Sequence, residues 1–141
     1  MNKLILTVGL PRSGKSTWAK ETGFPVVSPD AIRLALHGQR FETLAEPMVW
    51  AITKIMVRAL FLTGSTTVVL DSTNTTKKRR NTWLSKDWEI AYEVFTTSAE
   101  ECKRRARMTA QDDLCPIIDM MATNWDGELT VNNATCTIEL K

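Results

Sequence analysis

The chain is poor in the residues that staple, chelate or span. It has three cysteines, Cys102, Cys115 and Cys136, an odd number whose spacing fits no metal motif. A disulfide framework is thereby excluded, and a reducing, cytoplasmic compartment is expected. The one histidine, His37, falls at a predicted helix end before Gly38, where it reads as a solvated cap residue without a catalytic role. No run approaches the 18 apolar residues that a membrane-spanning helix needs, and the first residues read as a strand rather than a signal peptide, so no membrane association is expected. Repeats and low-complexity segments are absent. With 18 Lys+Arg against 16 Asp+Glu, the net charge of +2 is not that of a polycation. What remains is an ordinary globular composition, 43% hydrophobic and 24% charged, over 141 residues, which predicts one domain, 1–141.

The most informative stretch is Gly9-Leu10-Pro11-Arg12-Ser13-Gly14-Lys15-Ser16, the G-x-x-x-x-G-K-[ST] phosphate loop. Its context fits. Lys3 to Val8 is a short apolar run that reads as a buried strand, and Ser16 to Glu21 reads as the start of a helix. Backbone N–H groups of such a loop converge on an anion, and the helix N-terminus adds the positive end of its dipole. Lys15 supplies a point charge to the β- and γ-phosphates, and the Ser16 hydroxyl is a Mg²⁺ ligand. Gly9, Arg12, Ser13, Gly14, Lys15, Ser16 and Thr17 are the candidate nucleotide-binding residues.

Further along, Val26 to Ser28 is a strand candidate, and Pro29 opens a helix that places Asp30 and Arg33 three residues apart on one face. That pair sits where open α/β sheets bind ligands. It also reads blandly, as an acidic helix start with a surface partner. Leu44 to Leu62 is the longest helical stretch, with Met48, Ile52, Ile55, Met56, Ala59 and Leu60 as its expected core stripe. Thr66 to Asp71 is a strand ending in a carboxylate, which would bring Asp71 beside the phosphate loop as a Mg²⁺ partner. Ser72-Thr73-Asn74 is a loop, and Thr75 or Thr76 caps a helix carrying Lys77-Lys78-Arg79-Arg80. This run and Lys103-Arg104-Arg105-Arg107 hold eight of the 18 basic residues. The first run reads either as a solvated face or as a polyanion patch with Trp83 or Trp88 free for base stacking. Ile90 to Phe95 is a third strand, with Glu93 unexplained in its interior. Ser98 to Glu101 resembles a capping box that opens a helix through Met108, and Pro116 opens a last helix to Trp125 with Asp126-Gly127 as its stop. Thr135 to Leu140 could form a terminal strand. Alternating strands and helices predict an α/β P-loop fold, a four- or five-stranded mostly parallel sheet with helices on both faces.

Taken together, GLPRSGKSTWAKE, SPDAIR, VVLDSTNTTKKRR, CKRRAR and CPIIDMM resemble the kinase domain of phage polynucleotide 5′-kinases and related small P-loop kinases, over about residues 2 to 125. The resemblance implies an ATP-dependent phosphotransferase with an alcohol acceptor, ATP and Mg²⁺ as cofactors, and a 5′-OH DNA or RNA end as partner. It implies Asp30 as general base and Arg33 as contact to the phosphate at the reactive end. Asp71, Thr73 and Asn74 are carried over with them, and Arg79 completes the substrate set. A lid at about 98–115 would cover the ATP phosphates through Arg105 and Arg107. The run Arg104-Arg105-Ala106-Arg107 departs from the family's lid, which has an Arg-Asn pair. No phosphatase domain is expected, and the location would be the host cytoplasm if the chain is phage-encoded. A kinase for a small hydroxylated metabolite or nucleoside fits the same Asp30–Arg33 pair. A regulatory GTPase-like module is disfavoured, since no Asn-Lys-x-Asp guanine-reading motif occurs, and a nucleotide-dependent assembly factor would leave Asp30 and Arg33 idle.

Overall fold

The computed structural model describes residues 1–38 and 43–125. Expectations for 39–42 and 126–141, including the Asp126-Gly127 stop and the terminal strand, lie outside the described residues.

Four strands form one parallel sheet in the order β2-β3-β1-β4: β1 Lys3–Val8, β2 Val26–Val27, β3 Thr67–Leu70 and β4 Glu89–Val94. Leu4 lies beside Val68 and Ile90, and Leu6 beside Leu70 and Tyr92. These side chains share one face with Val8, Val27 and Val94 and make the main core. The other face of β1 carries Thr7, whose neighbour on β4 is the buried Glu93.

The helices are α1 Lys15–Glu21, α2 Pro29–His37, α3 Glu46–Leu62, α4 Lys77–Asn81, α5 Ala99–Met108 and α6 Leu114–Thr123. Side-chain caps define several starts. Ser28 Oγ accepts from Ala31 N, Thr76 Oγ1 from Arg79 N and Ser98 Oγ from Glu101 N. Only half of the expected capping box forms at Ser98, because the Glu101 carboxylate turns to Arg104 and Arg105 instead.

The buried stripe of α3 is Val49, Thr53 and Val57, with Trp50, Ile52, Leu60 and Phe61 packed beside it. Met48, Ile55 and Met56 are exposed, contrary to the expected stripe. α3 is apolar nearly all round, so periodicity alone did not select the face. Thr53 is accommodated in the core because its hydroxyl donates to Val49 O. Trp83 and Trp88 are likewise interior, not base-stacking platforms. Trp83 is 1% exposed, Trp88 stacks on Phe61, and Trp88 Nε1 donates to Trp83 O. His37 also differs from a solvated cap: it is half-buried, and its Nε2 has no hydrogen-bond partner. α6 begins at Leu114, two residues before Pro116, which sits in its first turn.

Candidate active site

β1 ends at Val8 and the chain turns into the phosphate loop. Gly9 is required by close approach. A Cβ there would lie 2.6 Å from Ser13 Oγ and 2.9 Å from Phe95 Cβ. Gly14 is required by backbone angle, with φ +106° at the cap of α1. Arg12 also takes a positive φ of 68°. The Lys15 side chain folds back into the loop, where Nζ donates to Leu10 O at 2.6 Å and Ser13 Oγ at 3.4 Å. Burial lowers its pKa to about 8, against the opposing pull of Asp71, Cys102 and Asp30. Ser16 and Thr17 are exposed at the start of α1.

Asp71, at the end of β3, accepts from Ser16 Oγ at 2.7 Å. Burial raises the Asp71 carboxyl, although the Ser16 hydrogen bond and the Lys15 charge oppose that rise. The pair offers two hard oxygen atoms beside a phosphate loop. That donor set suits Mg²⁺, which keeps most of its coordination for water and phosphate oxygens. Among the described residues no group of three or more His, Cys, Asp or Glu forms a protein-only metal cage.

A strap holds β3 and the following loop to β1. Thr7 Oγ1 accepts from Ser72 N and donates to Ser72 O, Thr73 O accepts from Gly9 N, and Asn74 Nδ2 donates to Thr7 O. Asn74 is 1% exposed with φ +45°. Of the amide of Asn74, a residue expected to meet substrate, Nδ2 is used inside on Thr7 O, while the buried Oδ1 meets no hydrogen-bond partner among the described residues. Thr73 is half-buried beside it. Arg80 is structural: it is buried and Nη1 donates to Asn74 O at 2.9 Å. The basic run is thus not one patch. Lys77 and Lys78 are exposed, Arg79 is half-buried and Arg80 points inward.

Arg79 lies over the Trp50 ring, 4.0 Å from its centroid. Arg33 lies 5.8 Å from the same centroid. The Asp30–Arg33 pair forms as its spacing implied, with Nη1 2.6 Å from Asp30 Oδ1. Sequence reasoning missed the third member. Glu46, at the start of α3, accepts from Arg33 Nε at 2.8 Å and from Nη2 at 2.6 Å. The signal available was an acid beside Pro47 at a helix start, which reads equally well as a dipole partner. Burial pulls the Arg33 guanidinium down, but the hydrogen bonds and charges of Glu46 and Asp30 outweigh it and raise its pKa. Arg79 is lowered, by burial and by the Arg33 charge, against the pull of Glu46.

On the other flank, α5 and α6 pair through Cys102, Ala106 and Ile118, and Leu10 of the phosphate loop is buried among them. Arg12 Nη2 donates to Arg105 O, and Arg105 Nη1 donates to Arg12 O. Arg105 is therefore at the loop. Arg107, two positions on, lies about 200° round the helix. It is exposed, whereas Arg105 is the arginine of this helix that bonds the loop. Lys103 is committed to Glu100 and Asp119, and Arg104 to Glu101. Cys102 and Cys115 are free thiols, and burial pushes the Cys102 thiol up.

The parallel sheet, the phosphate loop at the end of its central strand and the Ser16–Asp71 pair define a P-loop nucleotide-binding fold of the kinase type. Residues 4–114, more than three quarters of the chain, match the family model described as AAA domain, and the chain belongs to that family. Among solved structures it is similar to a chain of the Pnkp1/Rnl/Hen1 complex, at 28% identity over 74% of this chain and TM-score 0.66. It spans only 38% of that chain's length. A gluconokinase from Sinorhizobium meliloti is similar at 17% identity and TM-score 0.62, over 96% of this chain and 82% of that one. A shikimate kinase from Bacteroides thetaiotaomicron is similar at 14% and 0.51, over 86% and 77%. These last two show the fold. Fold, loop and family together make the protein a P-loop nucleotide-binding protein with the fold of small P-loop kinases. Among the described residues no helix is long and apolar enough to cross a membrane.

Proposed function

We propose that residues 1–141 act as one kinase domain that transfers the γ-phosphoryl group of ATP to the 5′-hydroxyl of a nucleic acid end. The observation that carries the reading is the placement of the Asp30 carboxylate. It is 70% exposed and held by Arg33, and its charge is felt by both Lys15 and Asp71. This supports Asp30 as a base that acts close to the phosphate loop. Arg79 shares the Trp50 ring with Arg33, and Lys77 and Lys78 are exposed on the same short helix as Arg79. Similarity to a chain of the Pnkp1/Rnl/Hen1 complex supports a polynucleotide acceptor over a small metabolite.

Phosphoryl transfer is mostly positioning and charge neutralisation. The loop amides and Lys15 hold the β- and γ-phosphates, and Arg105 approaches them from α5, the core of a lid at about 98–115. Ser16 and Asp71 would hold Mg²⁺, which supplies neutralisation of charge on the bridging and leaving oxygens. Asp30 accepts the proton of the acceptor hydroxyl as its oxygen bonds the γ-phosphorus and the bond to ADP breaks.

The test is incubation with labelled ATP, Mg²⁺ and a panel of 5′-OH DNA, 5′-OH RNA, nucleosides and gluconate. Label on an oligonucleotide 5′ end is expected. Label on gluconate or on free nucleosides alone would replace the polynucleotide reading with the small-acceptor one.

A further inference from the structure

Two arginines share the Trp50 ring, one of them bonded to Asp30, and their surroundings differ. Arg33 has three of its N–H groups on Glu46 and Asp30, and its side chain is 12% exposed. Counted with its two carboxylates, the Arg33 cluster carries a net −1. An incoming anion would be repelled by that cluster and would have to displace a carboxylate to reach the guanidinium. Arg79 presents the opposite case. Its guanidinium is fixed on the Trp50 ring, half-buried, and meets no hydrogen-bond acceptor among the described residues. A partly desolvated cation without an acceptor is costly, and an anion that pairs with it recovers that cost. Burial and the neighbouring Arg33 charge disfavour the cation at Arg79 and outweigh the nearby Glu46 charge, which favours it. Trp50 also fixes the plane of the guanidinium, so its fork is pre-organised for two oxygens of one group.

We infer that Arg79, stacked on Trp50, takes the anionic group beside the acceptor hydroxyl, a phosphate or a carboxylate, and that Arg33 is a positioning residue for Asp30. This rests on the kinase reading above, and it departs from the resemblance, which gives the phosphate contact to Arg33. Glu46 completes the arrangement. By taking Nε and Nη2 it turns Nη1 toward Asp30, which leaves the outer carboxylate oxygen to the acceptor.

The experiment compares acceptor pairs that differ only in the anion: a nucleoside 3′-monophosphate against the same nucleoside, and gluconate against glucitol. The kcat/KM preference for the anionic member is measured in wild type, Arg79→Ala, Arg79→Lys and Arg33→Lys, each checked for folding by thermal melting. Arg79→Ala is expected to reduce the preference by roughly ten- to hundredfold, mainly through KM, the range of a charge-assisted hydrogen bond. Arg79→Lys should retain part of it. Arg33→Lys should lower kcat on both members while keeping the preference, the signature of positioning. Preference lost with Arg33→Lys and kept with Arg79→Ala overturns the inference and leaves the kinase reading intact. Preference for gluconate alone overturns the polynucleotide reading, and the Arg79 comparison is then read on the carboxylate. If no acceptor turns over, calorimetric binding of the nucleoside 3′-monophosphate decides. Loss of binding in Arg79→Ala supports the assignment, whereas equal affinity in wild type and Arg79→Ala, or none in wild type, overturns it.

Discussion

Lys15 is half-neutral near pH 8 when the loop is empty, because burial lowers its pKa to about 8. Phosphates bound beside it favour the charged form and return the pKa toward or above its ordinary value. Nucleotide binding must then take up protons. From the titration curve, uptake is about a tenth of a proton per nucleotide at pH 7, about half at pH 8 and about nine tenths at pH 9. The terminal phosphate, with a second pKa of about 6, contributes about as much with opposite sign at pH 7 and little at pH 8 and 9, so the two higher pH values carry the test. Apparent affinity should fall above pH 8, approaching about tenfold per pH unit. The assay is isothermal titration of ADP with Mg²⁺ in buffers of unlike ionisation enthalpy, at pH 7, 8 and 9. The slope of binding enthalpy against buffer enthalpy gives the proton count. Tight binding at pH 8 and 9 with no dependence on buffer would refute the reasoning. The same shift has a sign for stability. The unfolded chain binds the extra proton between pH 8 and the ordinary lysine value, so the nucleotide-free protein gains stability as pH rises through that window. The penalty is fully present below pH 8, at roughly 3 kcal/mol.

Asp30→Asn keeps the helix start and removes the proton acceptor. Steady-state kinetics should show kcat down by about 10² to 10⁴, with ATP affinity retained. Full turnover in that variant would reduce Asp30 and Arg33 to an ordinary helix start. Asp71→Asn keeps a hydrogen-bond partner for Ser16 and removes a charge, so the Mg²⁺ concentration for half-maximal rate should rise; an unmoved Mg²⁺ dependence would exclude Asp71 from the metal site. Arg80→Ala breaks the buried bond to Asn74 O and should cost about 1–3 kcal/mol in denaturant unfolding. A surface-like loss near zero would contradict its inward placement. Lys77→Gln with Lys78→Gln should flatten the salt dependence of oligonucleotide KM, and an unchanged slope would place the nucleic acid elsewhere.

The strands and the phosphate loop were legible because their signals are local. β-branched runs, glycine spacing and capping hydroxyls act within a few residues. Asp71 was legible for the same reason, as a strand end after a phosphate loop. Features set by tertiary packing were hidden. α3 offered several apolar stripes, and only its neighbours chose Val49, Thr53 and Val57. The basic run looked uniform, yet successive residues of a helix point about 100° apart, so its four side chains meet different surroundings. Glu46 was invisible as a partner of Arg33 because they lie 13 residues apart on separate helices. Trp83 and Trp88 resembled binding aromatics simply because they follow lysines and arginines.

The seating of Leu10 sets a mechanical constraint. The phosphate loop is tethered to α5 and α6 by a side chain 4% exposed and by the reciprocal bonds of Arg12 and Arg105. Swinging the helix pair away as a rigid lid would expose Leu10, at about 1.5–3 kcal/mol, and break both bonds. The same motion would pull on Gly9 and Ser13, whose spacing leaves no slack. Loop and helix pair are therefore coupled, and a lid movement of 98–115 carries the loss of these contacts with it.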